Sequence, residues 1–216
     1  MLLDKRVKRK VRGTSSTKGR ITMKRLALVL ALTLSIALVS AFALNAEAPS
    51  PSNDDGPQLN GTTLTRPANY REWIFLSAGL GMSYSPAAAD TAPPFDNVFV
   101  NPSAYRQFLK TGTWPDRTVL VLELRSSQDR GSINQSGHFQ TTRRGMEVHV
   151  KDARLPGGWA FFQFPEGHDT AVPLSGKAGA TCLACHTDHG AVDQTFVQFY
   201  PTLIDVARAR GTYKPN

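Results

Sequence analysis

Two stretches in the second half of the chain alternate apolar and polar residues with a period of two. In residues 146–152 each class of side chain keeps to one face, with Met146, Val148 and Val150 opposite Glu147, His149 and Lys151. Residues 118–125 alternate in a similar way, and because successive side chains of a strand point to opposite faces, both stretches predict β-strands. Apolar segments at 70–76, 97–100 and 159–164 predict three more.

Helix signals are fewer; one lies between these strands and the others follow them. Asn101 can cap a helix that starts at Pro102, where a missing N–H costs nothing, and Gly112 predicts its end. A helix is also predicted around Cys182, and another from about 192 to 208 with a break at Pro201. The pattern therefore predicts an α+β domain over residues 69–210, a mainly antiparallel β-sheet with flanking helices.

The residues before this domain have the composition of an export signal and a linker. Basic residues up to Lys24-Arg25 precede an apolar run at 26–44 and then small residues, and Met23 could start a compact signal within the leader 1–46. We predict a periplasmic protein, with membrane anchoring by 26–44 as the alternative, since that run could span a bilayer. Residues 47–68 are rich in Pro, Ser, Asn and Asp and predict a flexible linker.

The positive charge of the chain is a property of the leader. Residues 1–46 contain ten Lys and Arg and one Asp, which leaves 15 basic and 16 acidic residues in 47–216. A nucleic-acid-binding surface needs concentrated positive charge, so nucleic acid is not a predicted partner of the domain.

Both cysteines of the chain lie in one motif, Cys182-Leu183-Ala184-Cys185-His186, which has the C-x-x-C-H spacing of covalent haem attachment. Residues three apart share a helix face, so both thiols can bond the vinyl groups of one haem while His186 binds the iron. We predict one haem c, attached near the C-terminus through Cys182, Cys185 and His186. A disulfide, a thioredoxin-like pair and a zinc site with His189 are the alternatives.

The sequence contains no methionine after the haem motif. A low-spin iron with a methionine ligand would need Met82 or Met146 from earlier in the chain, and Met146 fits better as a core residue of its strand. We therefore expect five-coordinate iron, which favours binding or transforming a small molecule. A low-spin electron-transfer cytochrome is the alternative.

Several segments, taken in order over about 69–205, closely resemble the cytochrome P-460 family, which includes the cytochromes c′-beta. They are Tyr70-Arg71-Glu72-Trp73, Asn97-Val98-Phe99-Val100-Asn101-Pro102, Lys110-Thr111-Gly112, Trp114-Pro115-Asp116, Gly145-Met146-Glu147, Gly158-Trp159-Ala160-Phe161, the haem motif and Phe199-Tyr200-Pro201. The resemblance implies a mainly antiparallel β-fold, a single haem c with a vacant distal site, and hydroxylamine or nitric oxide as ligand.

The resemblance also implies roles for particular residues. The enzymes of the family cross-link a lysine to haem, and the matching position here is Leu122, which cannot form that bond; Lys110, the nearest lysine in sequence, fits a helix end. Glu147 matches a distal glutamate that accepts a proton from the substrate and is the candidate catalytic residue, although it could instead be a solvent-facing strand carboxylate. Candidates for the distal wall are Phe75, Phe99, Phe161 and Phe164. Spacing assigns no site role to His138, His149, His168 or His189.

Two hypotheses of different classes follow. The first is a periplasmic haem protein with five-coordinate iron that binds nitric oxide or carbon monoxide, or takes part in electron transfer. The second is a hydroxylamine or nitric oxide oxidoreductase with Glu147 as base, so whether the protein is an enzyme stays open. The protein partners considered are an unidentified redox protein and a second copy of the chain in a homodimer.

Overall fold

The computed structural model describes residues 55–83 and 92–215. Two antiparallel sheets and a few helices form an α+β fold, which confirms the predicted class. The smaller sheet consists of β1 (Leu59–Asn60), β2 (Thr63–Thr65) and β8 (Thr170–Ala171). The larger sheet has five strands side by side in chain order: β3 (Ile74–Leu80), β4 (Phe95–Val100), β5 (Thr118–Gln128), β6 (Phe139–Lys151) and β7 (Trp159–Phe164).

Within the described residues, three α-helices accompany the sheets. They are α1 (Pro102–Thr111), α2 (Gly176–His189) and α3 (Ile204–Ala209), with 3-10 turns at Tyr70–Glu72 and Val197–Phe199. Helix α1 begins at the predicted proline and ends as predicted at Gly112, whose left-handed φ of 74° suits glycine. The haem motif lies in the second half of α2, so its predicted helical setting is confirmed.

The five-stranded sheet has a packed core on each face. Val119, Val121, Met146, Val148 and Val150 belong to one cluster, which Leu64 from β2 completes. Leu120 belongs to a second cluster with residues of α1, α3 and the segment 191–203. The alternation seen in the sequence therefore separates two faces of one sheet, and the candidate site lies on the face of the second cluster.

A buried carboxylate fixes the pairing of β4 and β5 on the first face. Glu123 is 1% exposed and accepts hydrogen bonds from the Tyr70 hydroxyl, Arg71, Asn97 and Arg125. Asn97 is also its direct partner in the strand register. Because a buried charge is costly unless it is hydrogen-bonded, a register in which Glu123 lost these donors would be disfavoured.

Two predicted boundaries were wrong. The predicted strand at 70–76 begins only at Ile74, because residues 70–72 form a 3-10 turn. The predicted flexible linker includes β1 and β2: Leu64 is fully buried, and it pairs with Leu59 and Ala171. This apolar residue is covered by the first core cluster, so 59–65 are part of the folded unit.

The leader 1–46 and the first part of the linker lie outside the described residues. Within 55–83 and 92–215, no helix is long and apolar enough to cross a membrane.

Candidate haem site

A cavity of about 730 Å³ lies between the second face of the large sheet and α2. The sheet contributes residues of its strands, among them Leu120 and Leu122 of β5 and Glu147 and His149 of β6. Helix α2 contributes Cys182 and His186, and the segment after it contributes Phe196 and Phe199. The cavity is therefore lined by one face of the sheet and by the helix that carries the haem motif.

The haem motif is arranged as its spacing predicts. Cys182 and Cys185 are three residues apart on α2, both are half-buried, and neither forms a disulfide. The disulfide alternative is therefore not what the structure shows, and both thiols are free to react. Among the described residues no group of three or more His, Cys, Asp and Glu side chains is placed to hold a metal ion.

His186 is oriented by the loop that follows its helix. Its Nδ1 lies 2.7 Å from the carbonyl oxygen of Gln194, and because a carbonyl can only accept, Nδ1 carries the proton. The lone pair of the neutral ring is then on Nε2, the arrangement that a metal-binding histidine needs. Burial lowers the pKa of His186 while the hydrogen bond to Gln194 opposes that shift, so the neutral ring is favoured.

The loop reaches His186 because the chain turns sharply at the end of α2. A Cβ on Gly190 would lie 2.4 Å from the His186 carbonyl oxygen and 2.8 Å from the Gln194 carbonyl carbon, so only glycine allows this close approach. Asp193 and Gln194 have positive φ values of 47° and 61°. Asp193 anchors the loop by accepting hydrogen bonds from the Trp114 N–H at 3.1 Å and from Lys151 at 3.2 Å.

This turn replaces the first part of the predicted helix at 192–208. Val192 and Thr195 form reciprocal backbone hydrogen bonds, and the Trp114 indole N–H donates to the Thr195 hydroxyl at 2.8 Å. Tertiary contacts to Trp114 thus override the helical pattern, and α3 begins only at Ile204. The prediction failed at the loop that orients His186.

In the part of the chain that the structure describes, three aromatic rings pack around the ring of His186. Their centroids lie 4.4 Å (Phe196), 4.7 Å (Phe161) and 4.8 Å (His149) from it. His149 is 7% exposed, and burial, with a smaller contribution from His186, holds its pKa well below the usual value. No hydrogen-bond partner for its buried Nε2 is found in the described part of the chain.

Farther along the strands the cavity wall is apolar with two carboxylates. Leu122 pairs directly with Val98 on one side and Glu147 on the other, and all three line the cavity. Glu147 is exposed to the cavity, and partial burial raises its pKa. The pKa of Asp96, also in the wall, is raised by burial and further by the charge of Glu147.

Some of the other candidate residues from the sequence line the cavity, and the rest lie elsewhere in the fold. Met82 lines the cavity, whereas Met146 is 1% exposed in the first core cluster, so Met146 is not available as an iron ligand. Of the four phenylalanines only Phe161 lines the cavity; Phe164 and Phe99 pack with the first cluster, and Phe75 is exposed. Lys110 lies in the last turn of α1, and the lysine that lines the cavity is Lys177.

Sequence reasoning missed His149, Asp96, Lys177 and the Gln194 carbonyl. The period of two could have found His149, because a residue two positions from Glu147 shares its face. Asp96 stands two positions from Val98 in the same way. No sequence signal marks a backbone carbonyl, whose position depends on the folded loop.

The cavity fits a haem group. Two thiols and an imidazole with a free Nε2 are the donors that a c-type haem requires, and the cavity volume falls within the roughly 300–1,000 Å³ of cofactor sites. Helix α2 has no fully buried residue, although a helix on a folded domain normally buries one face. A group bound between α2 and the sheet would supply the contacts that this helix otherwise lacks.

The fold and this donor set define a haem-binding cytochrome. The chain belongs to the cytochrome P460 family, whose model matches residues 67–197, more than half of the chain. The match includes β3 to β7, the haem motif and the loop carrying Gln194. A search of curated proteins found no match.

Proposed function

We propose that the protein is an exported mono-haem c cytochrome that binds a small nitrogen oxide, nitric oxide first, or takes part in electron transfer with a redox partner. The observation that carries the proposal is the hydrogen bond from His186 Nδ1 to Gln194, which leaves Nε2 free for iron inside the cavity. Membership in the cytochrome P460 family supports a haem cofactor.

The residues of α2 and its loop would hold the haem. Cys182 and Cys185 would form the two thioethers, and His186 would bind the iron. When bound, haem iron supplies a coordination site for a diatomic ligand and a one-electron redox couple. Gln194 keeps the His186 ring in the correct tautomer, and the apolar side chains of the cavity limit the access of water.

The wall beyond His186 supports a binding function. Leu122 and Glu147 are two residues along their strands from Leu120 and His149, about 7 Å farther from the His186 end. Leu122 and Val98 give this part of the wall an apolar surface, which suits a neutral diatomic molecule. Met146 is on the other face, so Met82 is the methionine of the described residues that keeps the low-spin alternative open.

The first test is covalent attachment. The full-length chain, expressed with c-type maturation machinery, should retain its haem through acid-acetone extraction, whereas the Cys182→Ala/Cys185→Ala variant should release any haem it binds. His189→Ala, at the end of the same helix, is the matched control and should retain covalent haem. The ferrous wild type should give an altered optical spectrum with nitric oxide. A wild type that purifies without haem would refute the proposal.

A hydroxylamine oxidoreductase is the second candidate, and the observation in its favour is Glu147 in the cavity wall with a raised pKa, as a general base requires. Electrons from hydroxylamine would pass to an external acceptor. Leu122 argues against this function, because it stands where the cross-linking lysine of the family's enzymes is expected.

The haem peptide separates these two candidates. Trypsin should release residues 178–208 with one haem and no second peptide, and the ferrous Soret band should lack a strong red shift. Lys177→Arg tests the lysine of the cavity wall and should leave the spectrum unchanged. A haem joined to a lysine-containing peptide, together with hydroxylamine turnover that Glu147→Ala abolishes, would favour the oxidoreductase.

A further inference from the structure

His149 is packed into the site more tightly than the spacing of histidines in the sequence suggests. It lies directly opposite Phe161 in the pairing of β6 and β7, and the two rings stack with centroids 4.1 Å apart and an interplanar angle of 14°. The Trp159 ring packs against it at 4.2 Å. The His149 and His186 rings meet edge to face, with an interplanar angle of 73° and centroids 4.8 Å apart.

This distance excludes His149 as an iron ligand opposite His186. An iron held between two imidazoles would lie roughly 2 Å from each ligating nitrogen, with each ring centre about 1 Å farther out, so the two ring centroids would be roughly 6 Å apart. The two rings are closer than that and touch each other. His149 and His186 therefore lie on the same side of any haem that His186 binds.

A single hydrogen bond does not fix the plane of an imidazole ring. The bond from Nδ1 to Gln194 holds one atom of His186, and the ring can still turn about that contact. Helix α2 adds little to the fixing of this ring plane, since none of the residues of the helix is fully buried. The plane must then be set by the rings packed around it, and among the described residues His149 is the one of these with two further ring contacts, to Phe161 and Trp159.

We propose that His149 is a positioning residue for the axial ligand: its stacked ring holds the His186 ring in one orientation for iron binding. The inference rests on the proposed function, because it takes His186 as the ligand. Nε2 of His149 has no hydrogen-bond partner among the described residues, so stacking holds this ring. A flat apolar ring at position 149 should therefore hold the His186 ring equally well.

The test uses the full-length holoprotein and reads the axial bond, not activity. Resonance Raman spectroscopy of the ferrous state measures the iron–histidine stretching band, and electron paramagnetic resonance of the ferric state reports how many axial arrangements are present. His149→Phe keeps the stacked ring and should give a single band at the wild-type position. His149→Ala removes the ring and should give a shifted, broadened band and more than one ferric species.

Met146→Ala is the matched control, because Met146 is a fully buried residue of the same strand on the opposite face. It also removes packed volume from the sheet, yet it should keep the wild-type spectra. If His149→Ala yields no folded holoprotein, His149→Leu, which preserves more volume but no flat ring, replaces it with the same expected result.

Two outcomes would overturn the inference. A sharp wild-type band in His149→Ala would show that its ring does not position His186. Equal changes in His149→Phe and His149→Ala would assign the effect to the imidazole nitrogens instead of stacking. Neither outcome affects the proposed function, which is tested separately through covalent haem, the His186 ligand and the response to nitric oxide.

Discussion

The carboxylate of Glu147 determines the charge that a ligand meets in the cavity. The titratable groups that line the cavity with it are Asp96 on β4, His149 on its own strand, Lys177, Cys182 and His186 on α2, and Tyr200 farther along the chain. Burial raises the pKa of Glu147, and burial with the charge of Glu147 raises that of Asp96. Anionic ligands should therefore bind poorly when both groups are ionised, while a neutral ligand should be indifferent to them.

We expect Glu147→Gln to raise the azide affinity of the ferric holoprotein by about tenfold, equivalent to ~1.4 kcal/mol, because a negative charge leaves the cavity. Nitric oxide affinity should be nearly unchanged. As the pH falls towards 4.5, the ordinary pKa of glutamate, the wild type should lose this charge and gain azide affinity more steeply than the variant. Optical titration measures all three quantities.

Glu166→Gln provides the matched control, because Glu166 is exposed and does not line the cavity. It should leave azide affinity at the wild-type value. Equal azide affinity in the wild type and Glu147→Gln at every pH would mean that this carboxylate does not face the bound ligand.

Individual site residues could be predicted to different extents. Cys182, Cys185 and His186 follow from spacing, because helical geometry places residues three apart on one face. The position of Glu147 in the wall agrees with its alternation along β6, but its role came from resemblance. Asp96 and Lys177 come to the cavity only through strand and helix packing, which no local pattern encodes.

Among the elements, the strands were predicted better than the segments between them. Residues 159–164 form a strand with the predicted bounds, since its aromatic residues favour a pleated surface and glycines precede it. The segment 192–203 has apolar residues at helix-like spacing, yet contacts from Trp114 and Lys151 hold its first part as a turn. The loop that orients His186 is thus fixed by contacts with residues distant in sequence.

Gly190 gives a test of this loop. Gly190→Ala would place a Cβ against the His186 carbonyl oxygen and the Gln194 backbone, so the loop must shift. The hydrogen bond to His186 Nδ1 should lengthen, which should lower the frequency of the iron–histidine stretching band in the ferrous holoprotein because the ring becomes a poorer electron donor. Stability should also fall by about 1–3 kcal/mol, the usual cost of overpacking.

Gly145→Ala is the control for Gly190→Ala. A Cβ there has no contact closer than 3.9 Å, to a Leu124 methyl group, and it lies in β6 away from the loop. It should keep the wild-type band. An unchanged band in Gly190→Ala would indicate that Gln194 does not tune the axial ligand.

The whole folded unit includes more of the chain than the compositional boundary predicted. Residues 47–68 are polar overall, but two leucines separated by a tight turn are enough to add a small sheet to the first core cluster. Gly61, with φ 58°, allows this turn between β1 and β2. Composition averages over a segment, whereas a single buried side chain decides whether the segment folds.

Leu64 provides the test of this boundary. Its side chain is fully buried, so Leu64→Ala should lower the free energy of unfolding by about 2–5 kcal/mol through lost burial and the cavity left behind. Thr62→Ala, at an exposed position in the same turn, should change stability by less than about 0.5 kcal/mol. Urea denaturation of the full-length protein measures both. Equal stability of the two variants would support the original prediction that this segment is a flexible linker. A large loss confined to Leu64→Ala would mean that any shortened form must begin before β1 to keep the sheet that carries the haem cavity intact.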